Sequence, residues 1–323
     1  METNEKTLTI VTSKGQGGIE IVSRRNYKSD ILYVNETTLT GLLGSQYGII
    51  FKLKKIFINI KKYENIVTNL PFHHIIVSLI CLLLKKKHLS VEHGPWSIVL
   101  FENSRLTKLA YEYWLRNTKS KVICVSLDLF ALYRLYNVKK LYYIPNSIPL
   151  TKNLEKTFNG TIKIIFAGRM HFQKDPELAI KSFLVFNNKN PNSELDFYGS
   201  GELLESLVNK YSNYHSIKFH NHVPNICQIF HEYDILLITS KFEGLPGVIL
   251  EAINSNIKVV SVPFISGLLE LNRFDNLYIS RNLSPSDIAS TIQESMDNNY
   301  NFDFKSYYSV NSVSTRYEKV INS

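Results

Sequence analysis

The stretch Tyr233–Asn256, YDILLITSKFEGLPGVILEAINSN, constrains this chain more than any other. Ile235-Leu236-Leu237-Ile238 has the length and composition of a strand buried on both faces of a parallel sheet. Glu243-Gly244-Leu245-Pro246-Gly247 breaks the run with two glycines and a proline. A helical pattern, Val248-Ile249-Leu250-Glu251-Ala252-Ile253, follows at once. Strand, glycine-bearing loop and helix N-terminus together present free N–H groups and a positive dipole end to an anion. The flanking carboxylates Glu243 and Glu251 do not suit a bare phosphate site. They point to hydroxyl groups, as on a sugar or a ribose, held beside a phosphate.

The remaining chain supplies the rest of an α/β protein. Leu8-Thr9-Ile10-Val11 reads as a first strand, and the turn Gly15-Gln16-Gly17-Gly18 follows it where phosphates approach backbone in such folds. A flexible surface turn is the competing reading. Ile31–Val34 is a second strand, with only Ile19–Arg25 between as helix. Lys52–Lys62 (KLKKIFINIKK) alternates bases with apolar residues and is read as a strand with a solvated face; a lipid- or phosphate-facing basic patch is the second reading. Asn65–Thr68 and Leu89–Glu92 are strands, with an apolar helix from His73-His74 to Lys85-Lys86-Lys87 between them. His93 stands at a strand's C-terminal end, where open α/β sheets bind ligands, and so has a functional place that the other histidines lack. Arg105–Arg116 reads as an amphipathic helix with Trp114 in the core. Lys121–Ser126 and Leu141–Ile144 complete the first set of strands.

Polar Thr151–Asn159 coincides with a change of charge. The chain carries +9 overall, yet residues 1–150 hold 21 Lys/Arg against 10 Asp/Glu and the remainder is slightly acidic. A second α/β set follows: strands Lys163–Ala167, Leu195–Tyr198, Ile217–Phe219, Ile235–Ile238 and Lys258–Val262, with loops at Gly168, Gly199 and Gly244 on one edge. Helices are expected from Pro176, over Ile226–His231, Ser284–Met296 and Ser309–Ile321. At 323 residues, with 44% hydrophobic content, both sets have material for a core. The cysteines Cys81, Cys124 and Cys227 sit singly in apolar runs, as buried reduced thiols do. Met1–Lys6 is polar and no apolar run reaches bilayer length, so the expectation is a cytoplasmic chain that meets a membrane only at its inner surface.

These residues, taken together, resemble family 4 retaining glycosyltransferases of the GT-B fold. The resemblance rests on Gly168-Arg169 with Lys174, Gly199-Ser200-Gly201, Asp234–Ser240, Glu243-Gly244-Leu245-Pro246 and Glu251-Ala252. It is looser over Gly17-Gly18, His93-Gly94, Val125-Ser126 and Pro145-Asn146. The EGLP variant looks most like bacterial enzymes of O-antigen, capsule and surface-polysaccharide synthesis. The fold implied is two Rossmann-like doubly wound parallel-sheet domains facing a cleft. Residues 1–150 would form the acceptor-side domain, 151–160 a linker and 161–308 the nucleotide-sugar domain, with a helix over 309–323 crossing back.

The resemblance also implies the roles. Arg169 and Lys174 hold the donor diphosphate and stabilise it as it leaves, with no metal and no cofactor. Glu251 accepts hydrogen bonds from the ribose diol, and Glu243 faces the donor sugar. Gly168, Gly201, Gly244, Leu245 and Pro246 line the donor with backbone. Gly17 and Gly18 let the first domain reach the same phosphates, and His93 lies near the transferred sugar. The implied reaction moves a hexose or N-acetylhexosamine from a nucleotide diphosphate sugar, UDP-linked, to a glycan or lipid-linked glycan, with retained configuration. The basic first half would touch anionic membrane. Loss of Glu251 or Lys174 is expected to abolish activity with thermal stability near normal. A GT-B UDP-sugar epimerase is the alternative. A basic nucleic-acid-binding protein is a weaker one, because no recognition module accompanies the charge.

Overall fold

The computed structural model describes residues 7–11, 18–26, 29–33, 46–95, 105–148, 160–264, 267–298, 300 and 306–323. They form two compact units, Met1–Ser147 with Tyr307–Ser323, and Ile148–Ser306. The linker expected at 151–160 lies almost wholly outside the described residues, as does Gly17.

The first unit is a six-stranded sheet of order β2-β1-β3-β4-β5-β6, every pair parallel. Its strands are β1 (Thr7–Val11), β2 (Asp30–Tyr33), β3 (Asn65–Thr68), β4 (Lys87–Glu92), β5 (Lys121–Cys124) and β6 (Leu141–Tyr143). The described helices between them are α1 (Gly18–Asn26), α2 (Gln46–Ile60), α3 (Pro71–Leu83), α4 (Arg105–Asn117) and α5 (Leu127–Arg134). Ile56 and Ile60 of α2 share one core with Val77 and Cys81 of α3 and with Leu8, Ile10 and Ile66 of the sheet. The helix following the second unit, numbered α11 below (Val310–Asn322), returns to the first unit and packs on α1. Its Val313 and Tyr317 are buried, and Lys121 Nζ donates to the Val320 carbonyl at 2.6 Å.

The second unit repeats the plan with order β12-β11-β10-β7-β8-β9, again parallel throughout. Its strands are β7 (Ile162–Ala167), β8 (Ser193–Tyr198), β9 (Ile217–His220), β10 (Ile235–Ile238), β11 (Lys258–Ser261) and β12 (Leu277–Ile279). The helices are α6 (Pro176–Asn187), α7 (Leu204–Tyr211), α8 (Gly247–Asn254), α9 (Leu268–Leu271) and α10 (Pro285–Asp297). Ile235 and Leu237 face a core built with Phe183 of α6 and Ile292 of α10, which is why β10 reads as an unbroken apolar run.

Two expectations need correction, and one helix was not expected. Lys52–Lys62 is not a strand but the end of α2 and the turn after it. Leu53, Ile56 and Ile60 carry a helical stripe that the base–apolar alternation masks, and the exposed lysines fill the outer face. Ile226–His231 is two single 3₁₀ turns, Ile226–Gln228 and Phe230–Glu232. Helix α5 has no counterpart in the sequence reading, although Ser126 caps it by accepting from the Leu129 N–H at 3.3 Å.

Candidate active site

In the second unit the chain leaves β7 toward β8 and β9 on one side, then returns to place β10 on the other. The loops after β7 and β10 therefore diverge from neighbouring strands, the position at which open α/β sheets bind ligands. They are tied together at several points. Lys241 N–H donates to the Gln173 carbonyl at 2.9 Å, and the Gln173 amide donates to the Phe242 carbonyl at 3.0 Å. Thr239 Oγ1 donates toward the carbonyls of Lys174 and Asp175. Asp175 sits in the left-handed region at φ 47° and caps α6, with Pro176 at the first helical position.

This stitching delivers Lys174 to Glu243, Nζ to Oε1 at 2.5 Å. Their side chains are 18% and 9% exposed, so water screens the pair only in part. Gly244, Leu245 and Pro246 are buried behind Glu243, and Pro246 stands at the cap of α8. Glu251 lies in the second turn of that helix, half-buried. Arg169 is exposed, with a 3.4 Å bond from Nη2 to Gln173 Oε1. Lys241, which the sequence reading passed over, adds a cation beside them; its Nζ lies 3.3 Å from the Phe172 ring centre and 3.6 Å from Asp175 Oδ2.

The loop after β8 is locked against the loop after β7. Met170 N–H donates to the Ser200 carbonyl at 2.9 Å and Leu203 N–H to the Met170 carbonyl at 3.0 Å. Gly199, at φ 150°, would place a Cβ 2.0 Å from the Gly168 carbonyl oxygen, and Gly201, at φ 154°, one 2.4 Å from that of Met170. Gly199 and Gly201 are thus required first by backbone approach, whereas a side chain at Gly168 would meet only the Lys174 stem at ordinary contact distance.

In the first unit His93 follows β4. Its Nε2 bonds Asn69 Oδ1 at 3.0 Å, and Asn69 also receives Ser23 of α1 at 3.4 Å. Asn69 follows β3 directly, beside the point where strand order reverses, a position the strand-end rule could have flagged. Burial holds His93 down at about 4, so the ring is neutral at pH 7. With Nε2–H donating to Asn69, Nδ1 keeps its lone pair. Gly18 opens α1.

Behind His93 the core is unusually polar. Burial pushes Glu92 up to about 8, opposed by the hydroxyls of Tyr111 and Tyr133, which donate to Oε2 at 2.6 and 3.2 Å. Glu92 Oε1 faces His74 Nε2 at 3.3 Å without hydrogen-bond alignment. His74 Nδ1 meets Thr68 Oγ1 at 2.6 Å, which meets His88 Nε2 at 2.8 Å, and His88 Nδ1 meets Ser120 Oγ at 2.7 Å. A neutral Glu92 and neutral histidines let each of these bonds find one donor and one acceptor. Burial lowers His88 to about 3, His73 to about 4, and His74 as well.

Two parallel doubly wound sheets, with the chain returning to the first after the second, define the fold of GT-B glycosyltransferases. Residues 150–309 match the family described as glycosyl transferases group 1. It is 29% identical to the Escherichia coli O-antigen biosynthesis glycosyltransferase WbnH over 78% of this chain and 73% of that one. It is 27% identical to the Escherichia coli UDP-Gal:alpha-D-GlcNAc-diphosphoundecaprenol alpha-1,3-galactosyltransferase, over 50% of this chain and 47% of that one. The fold matches Anabaena HepE, crystallised with UDP and glucose, at a TM-score of 0.78 and 15% identity, over 99% and 100% of the two chains. The protein is a glycosyltransferase, and these similarities lend no support to the epimerase alternative.

Two outcomes follow from the geometry. Gly199→Ala should destabilise the chain by about 3 kcal/mol or more, read by denaturant unfolding, because its Cβ would have to displace the Gly168 carbonyl. Stability should peak near pH 6.5. Below that the unfolded histidines bind protons that the buried ones refuse. From about 4.5 to 8 folded Glu92 keeps a proton that the unfolded chain releases, so this contribution falls as pH rises. Thermal melts of Glu92→Gln should lose the decline above pH 6.5 and keep the acid one.

Proposed function

We propose that the protein transfers a hexose or N-acetylhexosamine from UDP, with retained anomeric configuration, to a lipid-linked glycan in the synthesis of a bacterial surface polysaccharide. The observation that carries this reading is the Lys174–Glu243 pair at the reversal point of the second sheet, with Arg169 exposed beside it. Relatives named for O-antigen synthesis and for galactosyl transfer from UDP-Gal support the substrate class.

In this mechanism the bond between the anomeric carbon and the diphosphate oxygen lengthens, and charge accumulates on the phosphate. Arg169 takes it in a fork of N–H donors, and Lys174 as a point charge. They do so with no metal and no cofactor. Glu243 accepts from a sugar hydroxyl and steadies the positive character at the anomeric carbon. The acceptor hydroxyl attacks on the face the phosphate leaves, and a phosphate oxygen takes its proton. Glu251 accepts from the ribose diol, while Gly168, Gly201, Gly244, Leu245 and Pro246 shape the donor loop. His93, being neutral, can offer a hydrogen bond but not a charge.

Arg169→Ala should lower kcat/KM by about 100-fold or more with the melting temperature unchanged, since its side chain is exposed. Lys174 departs from the expectation of near-normal stability. Its loss leaves Glu243 largely buried without its cation, so Lys174→Ala should lose activity and also about 1–2 kcal/mol of stability. UDP release measured with and without a polyprenyl-diphosphate glycan tests the whole reading. Full turnover in Arg169→Ala, or UDP release indifferent to every glycan acceptor, would sink it.

A further inference from the structure

Helix α3, PFHHIIVSLICLL, has its polarity inverted for a helix on a water-facing surface. Its histidines 73 and 74 are buried with Val77 and Cys81, whereas Leu79, Leu82 and Leu83 are exposed. Half-buried Phe72, Ile75 and Ile76 continue that outer stripe at helical spacing, and the helix contains no charged residue. Helix α4 lies alongside, with Trp114 Nε1 donating to Ser78 Oγ at 2.9 Å and its ring stacked on His74. It too carries an exposed apolar stripe, Leu106, Leu109 and Tyr113. Leu83 and Leu106 are 78% and 79% exposed, and the other four exceed half. Six large apolar side chains on two adjoining helices exceed the scattered exposure normal for a surface.

Cations border the stripes. Lys85 and Lys87 follow α3, Arg105 and Arg116 stand exposed at the two ends of α4, and Lys54, Lys55, Lys61 and Lys62 are exposed on and just after α2, which shares its core with α3. The acid on α4, Glu112, is tied to Lys108 at 3.5 Å. Among the described residues no helix is long and apolar enough to cross a membrane.

The geometry points to the outer faces of α3 and α4 as a docking surface for an anionic lipid bilayer. The leucines and Tyr113 enter the boundary between headgroups and acyl chains, and the lysine and arginine border meets lipid phosphates. A protein partner or a second copy would bury the leucines but has no need of a cationic border on several sides; an anionic headgroup layer matches both parts at once. The surface lies wholly in the first unit and does not involve the donor residues. It adds to the proposed function the place where a lipid-linked acceptor is met.

Sedimentation of the full chain with vesicles is the test. At low salt the protein should bind phosphatidylglycerol-containing vesicles and bind phosphatidylcholine vesicles weakly, with loss of binding as salt screens the charges. Leu79→Glu with Leu83→Glu, and separately Leu106→Glu with Leu109→Glu, should reduce the bound fraction roughly tenfold or more, with the melting temperature unchanged. Lys85→Gln with Arg105→Gln should weaken binding and flatten its salt dependence. Vesicle binding that survives both leucine pairs would overturn the assignment. So would failure to bind anionic vesicles at low salt, or a soluble dimer that the leucine variants dissociate. UDP release with a water-soluble acceptor, measured on the same preparations, reads the donor site separately and should be retained in all three variants.

Discussion

The Lys174–Glu243 ion pair is the interaction on which the proposed donor site depends. Two groups this enclosed repay their desolvation only when geometry is good, and the pair is held by loops 69 residues apart that are stitched backbone to backbone. Glu243 neutralises the lysine. In the proposed reaction a diphosphate would compete for that ammonium and free carboxylate capacity for a sugar hydroxyl. One contact would thus serve first as structure and then as two separate donor contacts. Arg169 has no such carboxylate partner among the described contacts, so its charge would be open to the proposed diphosphate from the outset.

How far this was legible in the sequence depends on whether the signal was local. β10, its glycine loop and α8 were readable because a fully buried parallel strand is apolar at every position and the loop interrupts it sharply. Lys52–Lys62 misled because Leu53, Ile56 and Ile60 satisfy a helical period while the intervening bases imitate alternation; only the burial of Ile56 and Ile60 beside Val77 separates the two. Helix α5 was overlooked although Ser126 and Asp128 mark its start. β12, three residues long, carries too short a pattern to register. The contact between Lys174 and Glu243 could not be read from spacing, because it exists only once the sheet order brings β7 and β10 side by side.

The first unit poses a different question, since it buries a cluster of titratable groups that would be costly if charged. Glu92, His74, His88 and His73 are all driven toward their neutral forms by burial, and the Thr68 hydroxyl links two of the histidines as donor to one and acceptor from the other. A network satisfied only in one protonation arrangement fixes ring orientations more firmly than apolar packing would. That rigidity reaches the carboxyl edge of the sheet directly, because Glu92 is the residue before His93. The tautomer that Asn69 imposes on His93 is set in the same neighbourhood.

Charge is divided between the units in a way that net values conceal. The second half of the chain is slightly acidic, yet it gathers Arg169, Lys174 and Lys241 around one pair of loops. The anion binding proposed there would rest on three placed cations and the N-terminus of α8, not on the long-range field, which salt removes within about 10 Å. The first half holds the excess positive charge, and much of it stands around the exposed leucines of α3 and α4 rather than at the carboxyl edge of its sheet. There the neutral His93 and the amide of Asn69 prevail. In the proposed function a donor with several negative charges would be held where cations are few and fixed. The proposed membrane surface, with many negative charges, would be met where they are numerous, exposed and set around an apolar centre.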